Sequence, residues 1–144
     1  MRGYPDYFGQ STFNFKGTLN RDYDTHAILT LINHDVISLS AKGEIHGGSV
    51  QIENLTAPWT GISITIRCDG SIAGGGQVEE FLEYGGWKPF CLPAQLVYFD
   101  REHKIATFGL TQGFTFGLTY TVNVNNGSPG NITVISQVYW HRVI

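Results

Sequence analysis

Phe114-Thr115-Phe116-Gly117-Leu118-Thr119-Tyr120-Thr121-Val122-Asn123-Val124 alternates without a break between apolar or aromatic residues and small or polar ones. Successive side chains of a strand point to opposite faces, so this period of two marks a long β-strand with one buried face. Leu118, in the middle of the apolar set, is expected to be fully buried. The sequence Thr-Phe-Gly-Leu-Thr stands at 107–111 and again at 115–119, with Gln112-Gly113 between the copies. That spacing reads as adjacent strands of one hairpin.

Downstream, Asn125-Asn126-Gly127-Ser128-Pro129-Gly130 is dense in turn formers, and Ile132 to Val143 reads as a closing strand paired with 114–124. Upstream, Ala94–Phe99 and Ile105–Thr111 read as strands joined by the charged turn 100–104. Ile62, Ile64 and Ile66 alternate with Ser63, Thr65 and Arg67, a half-buried strand that ends at the turn signal Asp69-Gly70. Ser11–Lys16 reads as a first strand and 17–24 as a polar turn. His26–Ile32 and Val36–Lys42 read as strands around an Asn33-His34-Asp35 hairpin loop, although the lack of breakers makes a helix the competing reading. Gly47-Gly48 breaks the chain before a short strand, Ser49–Asn54. Ser71–Gly76 reads as flexible or as suited to close backbone packing, Val78–Tyr84 as one helical turn or an edge strand, and Gly85–Pro93 as a long loop. Nine or ten short strands without βαβ spacing give an all-β fold. The expected architecture is a single antiparallel barrel of eight to ten strands, with a β-sandwich as the alternative. Residues 1–144 are expected to form a single β domain.

Composition narrows the partners. Charged residues make up 15% of the 144 and the formal net charge is −3. The nine basic residues are scattered, which disfavours nucleic acid and anionic membrane surfaces, since both need clustered Lys and Arg. Gln112–Leu118 has alternating aromatics like a base-stacking strand, but Gln112 stands where a basic residue would lead. No apolar run is long enough for a transmembrane helix. Residues 1–7 carry no apolar signal core, so the expected location is cytoplasmic, or that of a mature secreted domain with an added Met. Cys68 and Cys91 lack zinc-site spacing; their pairing is left open, with simple burial the preferred reading.

Catalytic signals are weak. Asn20, Asp22 and Asp24 have the spacing that opens a calcium loop, but Thr25 and Leu31 stand where its Gly and Glu belong. They read as a solvated turn. None of His26, His34, His46, His103 and His141 forms a pair at ligand spacing, and Gly48-Ser49 lacks the frame of a nucleophile elbow. The densest mixture of carboxylates and aromatics is Glu79, Glu80 and Glu83 with Phe81, Tyr84 and Trp87. Carboxylates accept sugar hydroxyls and aromatic faces stack on sugar C–H groups, so Glu79, Glu80, Glu83, Tyr84 and Trp87 form the candidate ligand site. The function expected first is a non-enzymatic binding module, lectin-like or an effector that recognises a glycan or protein surface. No cofactor and no metal are expected. Two other classes stay open: a barrel that binds, isomerises or cyclises an apolar small molecule, and a structural or assembly protein built on sheet edges.

Overall fold

The computed structural model describes residues 19–55, 61–85 and 93–143. The strands are β1 (Asn20–Ile28), β2 (Ile32–Ser40), β3 (Gly43–Glu53), β4 (Ile62–Cys68) and β5 (Ser71–Gln77). After the short helix α1 (Val78–Glu83) come β6 (Ala94–Asp100), β7 (Ile105–Leu110), β8 (Thr115–Phe116), β9 (Thr119–Asn126) and β10 (Ile132–Arg142). One sheet has the order β1-β10-β3-β7-β6, with β8 also on β3; the other has the order β2-β9-β4-β5. All described strand pairs are antiparallel. The sheets do not close on each other, so the expected barrel is corrected to its alternative, a two-sheet sandwich. The class of ligand barrels loses its lumen with that correction.

The alternation fills the space between the sheets. Val50, Ile52, Ala106, Phe108, Val134 and Val138 face inward from the first sheet, and Ile62, Ile64, Ile66, Val122 and Val124 from the second. Each large aliphatic or aromatic side chain buried this way contributes about 1.5–3 kcal/mol. Phe81 of α1 closes one end, its ring edge-on to Phe108 at 5.0 Å. Gly75, at φ +135, lies against the Ile64 carbonyl, where a Cβ would collide. The Gly-rich segment is therefore the edge strand β5, with its backbone pressed onto β4.

The 114–124 stretch is not one strand. β8 pairs with β3 in the first sheet, and β9 pairs with β2 and β4 in the second. Between them the chain crosses from sheet to sheet, and Leu118 is 72% exposed instead of buried. The inward phase survives the crossing, since Phe116, Tyr120, Val122 and Val124 are all buried. Alternation reports which way a side chain faces; it does not report which sheet receives it. For the same reason the two Thr-Phe-Gly-Leu-Thr copies are not hairpin partners. Both pair with β3, at Gly48↔Leu110 and Gly43↔Phe116, so they lie end to end along it.

Further differences have the same origin. β9 and β10 belong to different sheets, so 125–130 is an arch and not a hairpin turn. β1 and β2 are likewise in different sheets; Asn33, His34 and Asp35 lie inside β2, and Asn20–Asp24 inside β1. Gly47-Gly48 does not end a strand but sits inside β3 beside a register shift at Tyr139/Trp140. The hairpin β6–β7 and the turn at Asp69-Gly70 stand where the sequence placed them, and the turn leads into a strand, β5, that the sequence reading did not contain. The strand expected at 11–16 lies outside the described residues.

Candidate functional site

The carboxylate cluster lies on α1, and local chemistry explains part of it. Val78 and Phe81, three apart, give the helix its buried face. Gln77 and Glu80 form a reciprocal capping box, in which the Gln77 backbone N–H donates to Glu80 Oε1 at 3.0 Å. Glu79 and Glu80 also stand in the first turn, where the helix dipole favours acidic groups. The turn ends at Gly85, φ 68, whose N–H donates to the Leu82 carbonyl at 3.2 Å. Glu80 is thus engaged in holding the helix start. Glu79 is half-buried, Glu83 exposed and Tyr84 55% exposed. The structure brings these four residues onto one short segment; Trp87 lies outside the described residues.

Beside α1 runs β6, an edge strand with a register shift between Leu96 and Tyr98. An open groove of about 220 Å³ lies between them, lined by Leu82, Gly85, Leu96, Val97, Tyr98 and Phe99. The Tyr98 hydroxyl donates to Asp100 Oδ2 at 3.1 Å, which raises its pKa. Backbone and ring N–H groups of His103 hold the Asp100 carboxyl down at about 2.

A second surface has no counterpart among the residues singled out from the sequence. The arch between β1 and β2 presents Leu29, Leu31 and Ile32 to solvent, Leu31 at 78% exposure. Leu31 has φ 64, a left-handed conformation that costs a leucine about 1–2 kcal/mol. Its N–H donates to the Asn126 carbonyl at 2.6 Å, Thr30 N–H donates to Asn131 Oδ1 at 3.2 Å, and the Thr30 hydroxyl donates to the Ser128 carbonyl. An exposed apolar tip is therefore fixed in a strained shape by the neighbouring arch.

A third feature sits where the open rims of the two sheets meet. One donor atom each from Asp24, His26 and His34 lies within 4.8 Å of the others. The imidazoles of His26 and His34 stack at 3.6 Å with an interplanar angle of 5°. His26 and Asp24, two apart in β1, share a face, which a turn reading of 17–24 hides; reading His34 as loop hides the third member. Elsewhere, His46 and His141 share a ring-nitrogen hydrogen bond. Burial first, then the His141 charge, holds the His46 pKa below its ordinary value. Cys68 is a free, half-buried thiol, pushed up to about 11 by burial and then by Asp69; Cys91 lies outside the described residues. Among the described residues, no helix is long and apolar enough to cross a membrane.

No protein-family model matches this chain, and no curated protein matches it. Among solved structures, a chain of the cyanophage Pam1 capsid asymmetric unit superposes with a TM-score of 0.52 at 14% identity, over 99% of this chain and 100% of that one. A chain of the acidic stable capsid structure of Helicobacter pylori bacteriophage KHP30 gives a TM-score of 0.43 at 11% identity, covering 88% of this chain and 95% of that one. At such identity the Pam1 likeness is a likeness of fold.

Proposed function

We propose that this chain is a structural subunit of a protein shell, which acts by associating with other copies through its exposed rims and arch tip. The observation that carries this reading is the end-to-end likeness to a chain of the Pam1 capsid asymmetric unit, whose whole length this fold covers. It is the assembly class that the sequence left open, and it has better support than the lectin-like class. Glu80 of the supposed sugar platform is engaged in capping α1.

The surface chemistry agrees. Leu29, Leu31 and Ile32 form an apolar tip that water does not favour, on an arch whose hydrogen bonds hold its shape before any partner arrives. Pre-organised apolar contacts lose little conformational entropy on association. Within the same reading, Glu79, Glu83, Tyr84 and the groove beside β6 are a second contact surface, where partner recognition replaces sugar recognition.

Sedimentation of the purified full chain over a concentration series tests the proposal. The expected result is concentration-dependent self-association into a discrete species. Leu31→Gly removes the apolar tip while relaxing the positive φ. It should shift association toward monomer and leave the thermal midpoint unchanged or higher. Tyr84→Ala tests the second surface in the same way. A wild-type chain that stays monomeric at every accessible concentration would overturn the reading.

A further inference from the structure

We infer that Asp24, His26 and His34 form a binding site for a divalent transition-metal ion of the zinc class, which joins the rim strands of the two sheets. Two imidazoles and one carboxylate are the donors such an ion takes, whereas calcium and magnesium select oxygen ligands. The donor set therefore chooses the class of ion.

The backbone places these donors together. In β1, Asp24 and His26 stand opposite Ser136 and Val134 of β10; in β2, His34 stands opposite Val124 of β9. Ser136, Val134 and Val124 are all buried, so Asp24, His26 and His34 lie on the core side of their strands, at a rim where Asp24 is exposed and the two histidines are half-buried. Those positions ordinarily take apolar residues. Here they carry three ligand-type side chains from two strands that share no ladder, since β1 pairs with β10 and β2 with β9. A bound ion would supply the link that hydrogen bonding does not.

The scaffold is fixed before any ion arrives. The Ser136 hydroxyl donates to the Val36 carbonyl at 3.0 Å in a buried contact across the sheets. Val36 is the extra residue of the β2 register shift between Asp35 and Ile37. A few residues away, the β1–β2 arch is tied to Asn126. The remaining adjustment is in the side chains. Bonds of about 2.0–2.2 Å to a tetrahedral ion put its donors about 3.4 Å apart, so the donor atoms, within 4.8 Å of one another, reach that spacing by χ rotation as the stacked rings splay. Three protein donors leave a fourth position to water or to a group from another molecule.

The test uses the untagged full chain, stripped with EDTA and titrated with ZnCl2 by calorimetry, with thermal midpoints in parallel. Saturable binding of one equivalent is expected, with a midpoint rise of roughly 5–10 °C at about a hundredfold excess over Kd. CoCl2 should bind at the same site with a visible d–d band, and CaCl2 and MgCl2 should leave the midpoint where it is. Loss of an outer partner alone weakens metal sites about 10–100-fold. His26→Gln, His34→Gln and Asp24→Asn should therefore each lose at least about tenfold in affinity, with metal-free midpoints near wild type. His103→Gln, at the exposed Asp100 pair, should bind as wild type does. Absence of saturable binding, full binding by the His26→Gln/His34→Gln double variant, or an equal response to CaCl2 would each overturn the inference.

Discussion

Two of the chain's crossings between the sheets, successive along the sequence, are held by opposite means. At the β8–β9 crossing, the exposed carboxylate of Asp69 accepts N–H groups from Gly117 at 3.1 Å, Leu118 at 2.6 Å and Thr119 at 3.0 Å. At the β9–β10 crossing, the fully buried amide of Asn126 donates to the carbonyls of Ile28 at 3.0 Å and Gly130 at 2.8 Å. Its oxygen accepts from the backbone and hydroxyl of Ser128 at 3.1 and 2.6 Å. Gly127 adds an N–H to the Gly61 carbonyl at 2.6 Å, in a contact so close that neither glycine can carry a Cβ. A strand that leaves its sheet strands its backbone polar groups, and each must find a partner. Where water reaches the crossing, a charge serves and the bond depends on pH. Where water is excluded, a neutral amide serves, and its value lies in having every donor and acceptor matched.

The sharpest way to break this contrast is Asn126→Ala. It takes the amide away from the Ile28 carbonyl and the Ser128 N–H in a buried place, each costing about 1–3 kcal/mol if unmet, while the Gly130 carbonyl keeps the Ser128 hydroxyl at 3.1 Å. Partial relaxation should leave a net loss of about 3–4 kcal/mol, read by chemical denaturation. The loss should be the same at neutral and acid pH. A loss under about 1 kcal/mol would mean that the arch is held by something other than this amide.

Asp69→Ala should cost less, and its cost should depend on pH. The N–H groups of Thr119, Leu118 and Gly117, in that order, hold the Asp69 carboxyl below the ordinary carboxylate value. A depressed folded-state pKa gives stability that is complete above the unfolded value of about 3.9 and lost as pH falls through the folded value. The midpoint difference between wild type and Asp69→Ala should therefore be constant around neutrality and shrink toward zero in acid. Asp69→Asn keeps one acceptor, so it should lose less near neutrality, and its deficit against wild type should likewise shrink in acid, where Asp69 is itself neutral. A wild-type advantage that grows as pH falls would refute the clamp.

The two crossings also mark how far the sequence could be read. Ile62, Ile64 and Ile66 fall on an inward face as their alternation requires, and Asp69-Gly70 turns the chain into β5. Those features are local, since strand phase and turn chemistry are written within a few residues. The barrel was expected because strand spacing is the same in barrels and sandwiches, and the difference lies in which strands pair. The pairings expected around 33–35 and across 125–130, and the unbroken strand expected over 114–124, all fail because strands adjacent in sequence there lie in opposite sheets. The candidate site was legible to the same degree. Glu79–Tyr84 is a real segment, and the Gln77-x-x-Glu80 spacing already contains the capping box. Leu31 shows nothing locally of its positive φ, because Asn126 and Asn131 impose the arch from about a hundred residues away. His26 and His34 meet only because the rims of two sheets meet, which no spacing rule along the chain records.

The smallest expected effect belongs to the residue whose burial seemed safest. Leu118 sits at the centre of the alternating stretch, and burial there would make Leu118→Ala cost about 2–5 kcal/mol. At 72% exposure its side chain has little packing to lose, and only its backbone N–H, held by Asp69 at 2.6 Å, matters to the crossing. Leu118→Ala keeps that N–H, so the stability change should stay within about 0.5 kcal/mol in dilute protein. Measured beside Asp69→Ala, it separates backbone from side chain at the same turn. A loss confined to concentrated, associated protein would place Leu118 in a contact between copies. A loss of buried-leucine size in the dilute chain would restore the unbroken strand and remove the crossing.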